Sequence, residues 1–551
     1  MSAEWGPEWD RVVDVIVVGC GAAGATAAVV AAAAGSEVEI LERASHPGGT
    51  TAKSHGRMWI PNHPYLRADG VEDNRADALI YMAWSAYPLL FDAQSATLGL
   101  PQDRYAMLEA YYDHASQAIE HLEKIGALQT QPVTFADYYA TAPAGVTPNG
   151  RTIEPRWTGT SADDYTGGQF LMDQLVSAAQ SYGVRLSVDH RAMSVVRSGE
   201  QVVGVFARTG RRSLMVGARR GVIFTSGGFA HDPRLTVDYL RGPIFGGGAV
   251  AEATGDFVRI GLEVGAQLGN MANAWWAQEA LEHTVRERST VHDAFFPFGD
   301  SMLMVDRFGR RVVNEKAPYN ERTQVHFQWD PTANEYPNLL LFMIFDDAVL
   351  QHKNRSKHRW PIPRPDEPAD HVISGDDLAE LATRLEARVA GLARHTGGAR
   401  LDGDFLPNFR RTLADFNAYA ANGHDPDFRR GETPLEKALD PTPRSGAASG
   451  SMHPLSQTGP YHAVILVPGA IDTKGGPVTN EHSQVLSTSG TPIPGLYGAG
   501  NCIASPAAQA YWGPGGTIGP AIAFGYLAAV HAAGSAPRSP RQDLTVGQSA
   551  G

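Results

Sequence analysis

A glycine-rich turn near each end of this 551-residue chain limits what it can fold into. On the N-terminal side, Val15-Ile-Val-Val-Gly19-Cys-Gly21-Ala-Ala-Gly24 is an apolar strand running into a G-x-G-x-x-G turn. Such a turn brings backbone N–H groups and a helix N-terminus close to a pyrophosphate. On the C-terminal side, Gly495-Leu-Tyr-Gly-Ala-Gly-Asn501 precedes Ala510-Tyr-Trp-Gly-Pro-Gly-Gly-Thr-Ile-Gly-Pro520, with no lysine or arginine between positions 495 and 537. It reads as a strand, a small-residue turn, a loop with one tyrosine and a helix. Two such loops at opposite ends imply one long dinucleotide gripped by both.

The segments around the first turn support this reading. Residues 12–18 read as a buried parallel strand, 22–34 as an alanine-rich helix and 37–41 as a second strand ending at Glu42. That is a βαβ unit with an acid at the spacing expected for an adenosine ribose. Pro47-Gly-Gly-Thr-Thr51 follows, a second glycine-rich turn more typical of flavin proteins than of nicotinamide dehydrogenases. Alternating stretches at 192–197, 202–208 and 213–216 suggest a meander, leading into Gly221-Val-Ile-Phe-Thr-Ser-Gly-Gly228. The cofactor contacts expected from these turns are Gly19, Gly21, Ala22, Ala23, Gly24, Glu42, Arg43, Gly48, Gly49, Thr50, Thr51, Gly227, Gly500, Asn501, Gly516, Thr517 and Ile518.

Between positions 286 and 452 charge and proline rise, and a helical pattern appears at 376–392. The organisation expected is a dinucleotide-binding domain over 10–285 and 453–535, an inserted domain over 286–452 and a disordered tail over 536–551. The 46 basic against 59 acidic residues give a net charge of −13, which opposes nonspecific nucleic-acid binding. The two cysteines, Cys20 and Cys502, lie in the cofactor loops and form no metal-type spacing, so no metal and a reducing cytoplasm are expected. The opening nine residues are acidic, unlike the basic start of a signal peptide. No apolar run is long enough to span a bilayer; peripheral membrane contact is compatible with a lipophilic substrate.

With these pieces assembled, the chain resembles the 3-ketosteroid dehydrogenase family, relatives of the fumarate reductase flavoproteins. The resemblance covers approximately residues 12–533. It rests on Gly48-Gly-Thr-Thr-Ala52, Met58-Trp-Ile-Pro61, Asp137-Tyr-Tyr139, Ala274-Trp-Trp276, Val305-Asp-Arg-Phe-Gly-Arg-Arg-Val-Val-Asn-Glu315, Phe416-Asn-Ala-Tyr419, Asp425-Pro-Asp-Phe428, Thr473-Lys-Gly-Gly476 and Tyr511-Trp-Gly-Pro-Gly515. It implies an α/β fold, with a Rossmann-like FAD-binding domain of glutathione-reductase type and an inserted α+β catalytic (capping) domain. The implied cofactor is non-covalent FAD.

By that resemblance, the reaction desaturates a cyclic ketone beside its carbonyl. An α-proton leaves to a base and a β-hydrogen leaves as hydride to flavin N5. Tyr511 and the Gly515 N–H match the donors to the ketone oxygen, an oxyanion hole in which one donor contributes ~3 kcal/mol. Tyr319 matches the proton-abstracting tyrosine. Tyr138 matches a second tyrosine supporting it, with Tyr139 an equal claimant. A phenol of pKa ~10 needs about 4 kcal/mol of phenolate stabilisation to act near pH 7, from a neighbouring donor or positive charge. Trp275 and Trp276 are expected to wall a flat pocket, although core packing explains them as well.

Two departures from the family pattern bear on the substrate. Lys53-Ser-His55-Gly-Arg57 stands where the family is glycine-rich, so His55 is expected near the flavin or substrate, and the substrate to be more polar than a plain steroid. Trp512 replaces a proline, which shrinks the pocket. The expected substrate is a 3-ketosteroid, with a smaller cyclohexanone-type ketone as the alternative and a quinone-like or dye acceptor as partner. A fumarate-type reductase is the rival, disfavoured because loop 509–516 has no cation for a dicarboxylate, and kept open by Arg310, Arg311 and Arg322.

Overall fold

The computed structural model describes residues 8–147, 149–156, 166–290, 294–352, 359–364, 367, 369–439, 444, 447–537 and 544–547. The chain forms two compact units. The first comprises 1–240, 249–275 and 472–551; the second comprises 241–248 and 276–471.

The first unit is built on a nine-stranded sheet. Its centre is the strand Arg11–Val18, parallel to Val38–Leu41 on one side and to Arg212–Phe224 on the other. The run Val15–Val18 is buried on both faces, as a continuous apolar run in a parallel sheet requires. The expected meander is present as Arg191–Ser198, Gln201–Thr209 and Arg212–Phe224. Its last strand continues without a break into the segment read separately from position 221. That one strand pairs antiparallel with Gln201–Thr209 in its first half and, from Val216 onward, parallel with Arg11–Val18, with a register shift between Val13 and Val15.

The two ends meet because Pro492–Gly498 lies parallel to the same long strand, with Leu496 opposite Val222. The alanine-rich helix Ala22–Ala33 packs against the C-terminal helix Ile518–Gly534. A Cβ on Gly525 would sit 2.6 Å from the Ala23 carbonyl oxygen, so the helices approach to backbone contact. Small residues here set the spacing between the two cofactor turns. Part of the tail expected to be disordered is ordered: Leu544–Val546 forms an edge strand antiparallel to Arg191–Ser198. Backbone pairing at an open sheet edge outweighs the polar composition of that segment. Positions 538–543 and 548–551 lie outside the described residues.

The second unit is organised on a five-stranded sheet of Ala274–Ala280, Tyr461–Thr473, Leu341–Asp346 and Met302–Val305, with Ile373–Gly375 beside Tyr461–Thr473. Strand alternation divides its core. Leu303, Val305, Phe342 and Ile344 face the cluster containing the helices Leu378–Gly391 and Phe405–Asn422. Met302, Met304, Leu341, Met343 and Phe345 face the other cluster. The unit extends beyond 286 and 452 because the apolar strands flanking the charged region belong to its sheet. Among the described residues, no helix is long and apolar enough to cross a membrane.

Candidate active site

The first turn tests whether the chain fits a dinucleotide. A Cβ on Gly19 would meet the Thr225 carbonyl oxygen at 2.6 Å, and one on Gly24 would meet the Gly19 oxygen at 2.0 Å; protein packing alone demands both glycines. Gly21 differs, since a Cβ there would find only Thr51 Oγ1 at 3.6 Å and the Gly48 oxygen at 3.9 Å. The space it leaves is room for a ligand rather than for protein. Gly49 and Gly227 have positive φ and equally open surroundings. The donor-rich, uncrowded turn fits a pyrophosphate, with Gly48–Thr51 and Gly500–Asn501 on the same sheet end.

Glu42 closes this turn from below. Its carboxylate accepts the Cys20 N–H at 2.7 Å and the Ala44 N–H at 2.8 Å. Burial holds its pKa above the ordinary value against those two hydrogen bonds. Arg43 donates to the Glu252 carbonyl at 3.2 Å and Thr254 Oγ1 at 2.5 Å, so it braces the 249–256 segment. Thr51 Oγ1 accepts the Ala22 N–H at 3.2 Å, and Thr50 Oγ1 accepts the Val250 N–H at 3.2 Å. Ala23, Gly516, Thr517 and Ile518 line the helix starts of this same region. Replacing Glu42 by alanine is expected to raise the FAD dissociation constant at least ~10-fold, because the turn loses the acceptor of two N–H groups and the acid expected at the ribose. The flavin-to-protein ratio after gel filtration checks this; an unchanged ratio means that Glu42 does not hold the ribose.

Asp472, which sequence reasoning passed over, ties three of these pieces together. It accepts the Gly228 N–H at 2.9 Å and Asn501 Nδ2 at 3.1 Å. Asn501 in turn accepts from Trp275 Nε1 at 2.9 Å. Burial pushes the Asp472 carboxyl up to about 6. Its only sequence signal was its place directly before the Thr473-Lys-Gly-Gly476 turn. Cys20 and Cys502 are free and buried, and burial pushes each thiol up to about 12, which leaves both inert.

The tyrosine loop is fixed at nearly every residue. The Tyr511 N–H donates to the Tyr139 hydroxyl at 2.9 Å. The Trp512 carbonyl accepts from the Tyr138 N–H at 3.1 Å and from the Tyr81 hydroxyl at 2.6 Å. Thr152 Oγ1 donates to the Pro514 carbonyl at 3.0 Å, and the Trp59 N–H to the Gly515 carbonyl at 3.1 Å. Gly515 has φ +89°, and a Cβ there would meet Met58 N at 2.4 Å, so only glycine allows this approach. The Tyr138 and Tyr511 rings lie 5.6 Å apart, and Trp275 meets Tyr511 edge-on at 5.2 Å.

Both tyrosines of the Asp137-Tyr-Tyr139 motif therefore reach Tyr511, one by its ring and one by its hydroxyl. The Trp512 ring stacks on Tyr111 at 5.4 Å and tilts against Trp59 at 5.3 Å, inside an aromatic cluster. His55 is exposed, and Arg57 is half-buried over the Phe135 ring. Sequence reasoning missed Lys474. Its buried ammonium donates to the Ala510 carbonyl at 2.8 Å and lies 4.1 Å from the Trp275 ring centre. The loop without a cation in sequence thus receives one from the Thr473-Lys-Gly-Gly476 turn.

Beneath the loop, Arg151 bridges two buried carboxylates, Asp73 at 2.6 Å and Asp137 at 2.5 Å. Asp137 also accepts from Trp59 Nε1 at 2.7 Å. Removing Arg151 strands two acids in a dry interior. Arg151→Leu is therefore expected to lose about 3–5 kcal/mol of stability, read from the urea midpoint. A loss below ~1 kcal/mol would mean that water reaches the pair.

The second unit holds the remaining candidates. Tyr319 starts the helix Tyr319–Thr323, is buried, and meets the Phe296 ring edge-on at 5.5 Å. Adjacent strand positions point to opposite faces, so Trp276 does not join Trp275. Its ring packs on Phe327 at 4.6 Å beneath the Arg241 guanidinium, and the Trp276 backbone N–H donates to Asn320 Oδ1 at 3.2 Å. Arg311 is committed to Glu315 and Asp425, each at 2.8 Å.

The model of the FAD binding domain family matches residues 14–518, nearly the whole chain. The chain belongs to the FAD binding domain family. It is 30% identical to 4-oxocyclohexanecarboxylate 2-dehydrogenase of Sinomonas cyclohexanicum, over 95% of this chain and 93% of that protein. It is 29% identical to 3-oxosteroid 1-dehydrogenase of Mycobacterium tuberculosis, over 95% and 98%. The structure of 3-ketosteroid delta1-dehydrogenase from Sterolibacterium denitrificans, in complex with 1,4-androstadiene-3,17-dione, matches with a TM-score of 0.79 at 25% identity, covering 95% of this chain and 99% of that one. This flavoprotein is an FAD-dependent oxidoreductase of the 3-ketosteroid dehydrogenase-like family acting on CH–CH groups, and it binds FAD non-covalently. It oxidises a substrate of the cyclic-ketone type.

Proposed function

We propose that this flavoprotein introduces a C=C bond beside the carbonyl of a six-membered ring ketone. The observation that carries the reading is the Tyr511–Gly515 loop. Its phenol and glycine N–H stand on a backbone clamped by Tyr81, Tyr138, Tyr139, Thr152 and Trp59. Pre-organised neutral donors bind a developing enolate oxygen more strongly than a ketone oxygen, because the charge gained is not spent on reorienting them. Tyr511 and the Gly515 N–H receive that oxygen. Tyr319 takes the α-proton, and Tyr138 packs against Tyr511. Trp275 walls the site. Bound FAD supplies the acceptor for the β-hydrogen as hydride, held by the glycine turns, Glu42 and Asn501. An external quinone-like or dye acceptor restores the oxidised enzyme.

The ring is read first as that of a 3-ketosteroid, supported by full-length similarity to the steroid enzymes. A second reading, a cyclohexanone bearing a carboxylate, is favoured by a specific pair of observations. Half-buried Arg57, 3.7 Å from the Glu154 carboxylate, stands in the stretch that departs from the family, and its backbone abuts Gly515. The similar protein from Sinomonas cyclohexanicum is named for such an acid. Anaerobic bleaching of the flavin by a panel from cyclohexanone and 4-oxocyclohexanecarboxylate to 3-ketosteroids tests both. Bleaching by steroids alone supports the first reading and bleaching by the oxo acid the second. A flavin untouched by every ring ketone overturns the function.

A further inference from the structure

Arg322 is fully buried in the second unit, one helical turn after Tyr319. All its hydrogen bonds go to neutral oxygens. Nε donates to Gln278 Oε1 at 2.6 Å, and the terminal nitrogens donate to the carbonyls of Glu315 at 3.2 Å, Ala317 at 2.9 Å and Phe295 at 2.8 Å. Its guanidinium also lies 5.1 Å over the Phe295 ring. No carboxylate lies in ion-pair range of it among the described residues.

The neighbouring acids make their hydrogen bonds and ion pairs elsewhere, although the charges of Glu315 and Glu321 reach Arg322. Glu315 is shared between Arg311 at 2.8 Å and Arg430 at 3.2 Å, and these cations hold it at about 2. Asp425 is bound to Arg311, and Glu321 accepts from Asn320 Nδ2 at 2.8 Å. Of the other groups around this helix, buried His326 is held at about 4 and is neutral at working pH. Lys316 donates to the Pro297 carbonyl at 2.7 Å, and Arg241 to Gln324 Oε1 at 2.9 Å. Around this helix Lys316 and Arg322 are buried, while Arg241 is exposed.

A buried cation hydrogen-bonded only to neutral oxygens is stabilised further by each anion that forms near it. Burial draws Arg322 down to about 9, and the charges of Glu315, of an ionised Tyr319 and of Glu321 act in the opposite direction. Coupling between two titrating groups is reciprocal, so the guanidinium favours the phenolate to the same degree. Residues three apart on a helix are surface neighbours, which puts the two side chains on one side of this turn. The carbonyls of Glu315 and Ala317 lock the guanidinium to the segment leading into Tyr319.

We propose that Arg322 is the positioning residue that makes Tyr319 a base, by supplying the fixed positive charge against which its phenolate forms. This rests on the reading of Tyr319 as the proton acceptor. Arg322 touches neither substrate nor flavin; it acts through the tyrosine, and it remains charged throughout while the α-proton resides on the Tyr319 oxygen.

The pH profile of kcat/KM tests the proposal. In Arg322→Gln the acidic limb is expected to move up by at least about one pH unit, with at least about ten-fold lower activity at pH 7. Activity should recover towards the wild-type level at alkaline pH, and Arg322→Lys should restore part of the shift. An equal loss at every pH marks a structural role and overturns the proposal. A second measurement needs no variant at Arg322. The ultraviolet difference titration of the wild-type holoenzyme against Tyr319→Phe should show one tyrosinate forming below pH ~10, and one forming at or above ~10 overturns it. Substrate α-proton exchange separates the two readings. Exchange retained in Tyr319→Phe removes the tyrosine from its role as base. Exchange lost there with an unmoved limb in Arg322→Gln removes only Arg322.

Discussion

Tyr319→Phe is expected to lower turnover by ~10²- to 10⁴-fold, the range for losing a positioned general base. The phenol is buried at the start of a short helix, against Phe296 and one turn before Arg322. Phenylalanine preserves the ring and removes only the oxygen, so packing in the second unit should hold and flavin content should be unchanged. Substrate α-proton exchange should fall with turnover, since both need the same proton acceptor. Single-turnover flavin reduction under anaerobic conditions reads the effect free of acceptor kinetics. Reduction at the wild-type rate would transfer the role of base to another group.

For Tyr511→Phe the expected loss is ~10²- to 10³-fold in the rate of flavin reduction, with FAD still bound. The loop backbone has anchors other than the Tyr511 hydroxyl. It is held through the Tyr511 N–H, the Trp512, Pro514 and Gly515 carbonyls, and the rings of Tyr138 and Trp275. The variant therefore removes the hydroxyl while these anchors remain. Because the lost interaction strengthens as charge reaches the ketone oxygen, the effect should appear in the chemical step more than in substrate affinity. A variant that changed only KM would mean that Tyr511 binds the ketone without stabilising its enolate.

Much of the FAD-binding unit is legible in short windows. The strand Arg11–Val18, the turn at Gly19–Gly24, the helix Ala22–Ala33 and the strand Val38–Leu41 follow one another at local spacing, and each is signalled by its own composition. The edges of the second unit are less legible. A rise in charge and proline marks the inserted region, but the strands Ala274–Ala280 and Tyr461–Thr473 carry no such mark, and only their pairing assigns them. The ordering of Leu544–Val546 has the same cause, since a polar tail becomes a strand only where an unpaired edge awaits it.

Motifs in the sequence singled out Tyr511, Gly515, Tyr138 and Tyr319 as expected participants, and left Tyr138 and Tyr139 as equal claimants. Tertiary structure gives each a distinct contact with the Tyr511 residue, one by ring and one by hydroxyl. It also brings in Lys474, Asp472, and the bridge of Arg151 between Asp73 and Asp137. Lys474 and Asp137 stand inside motifs and Asp472 beside one, but no local pattern gives their contacts, because these depend on burial and on partners far off in the chain. Tyr81 and the Trp512 carbonyl it holds are 431 positions apart. What the sequence alone determined is the backbone chemistry of the turns, since φ, glycine spacing and hydrogen-bonding direction are properties of a few consecutive residues. Which side chains are dry, which charges are compensated and which rings meet was decided only when the two ends of the chain closed on one sheet. Desolvation and pairing act between residues that a linear pattern does not bring together.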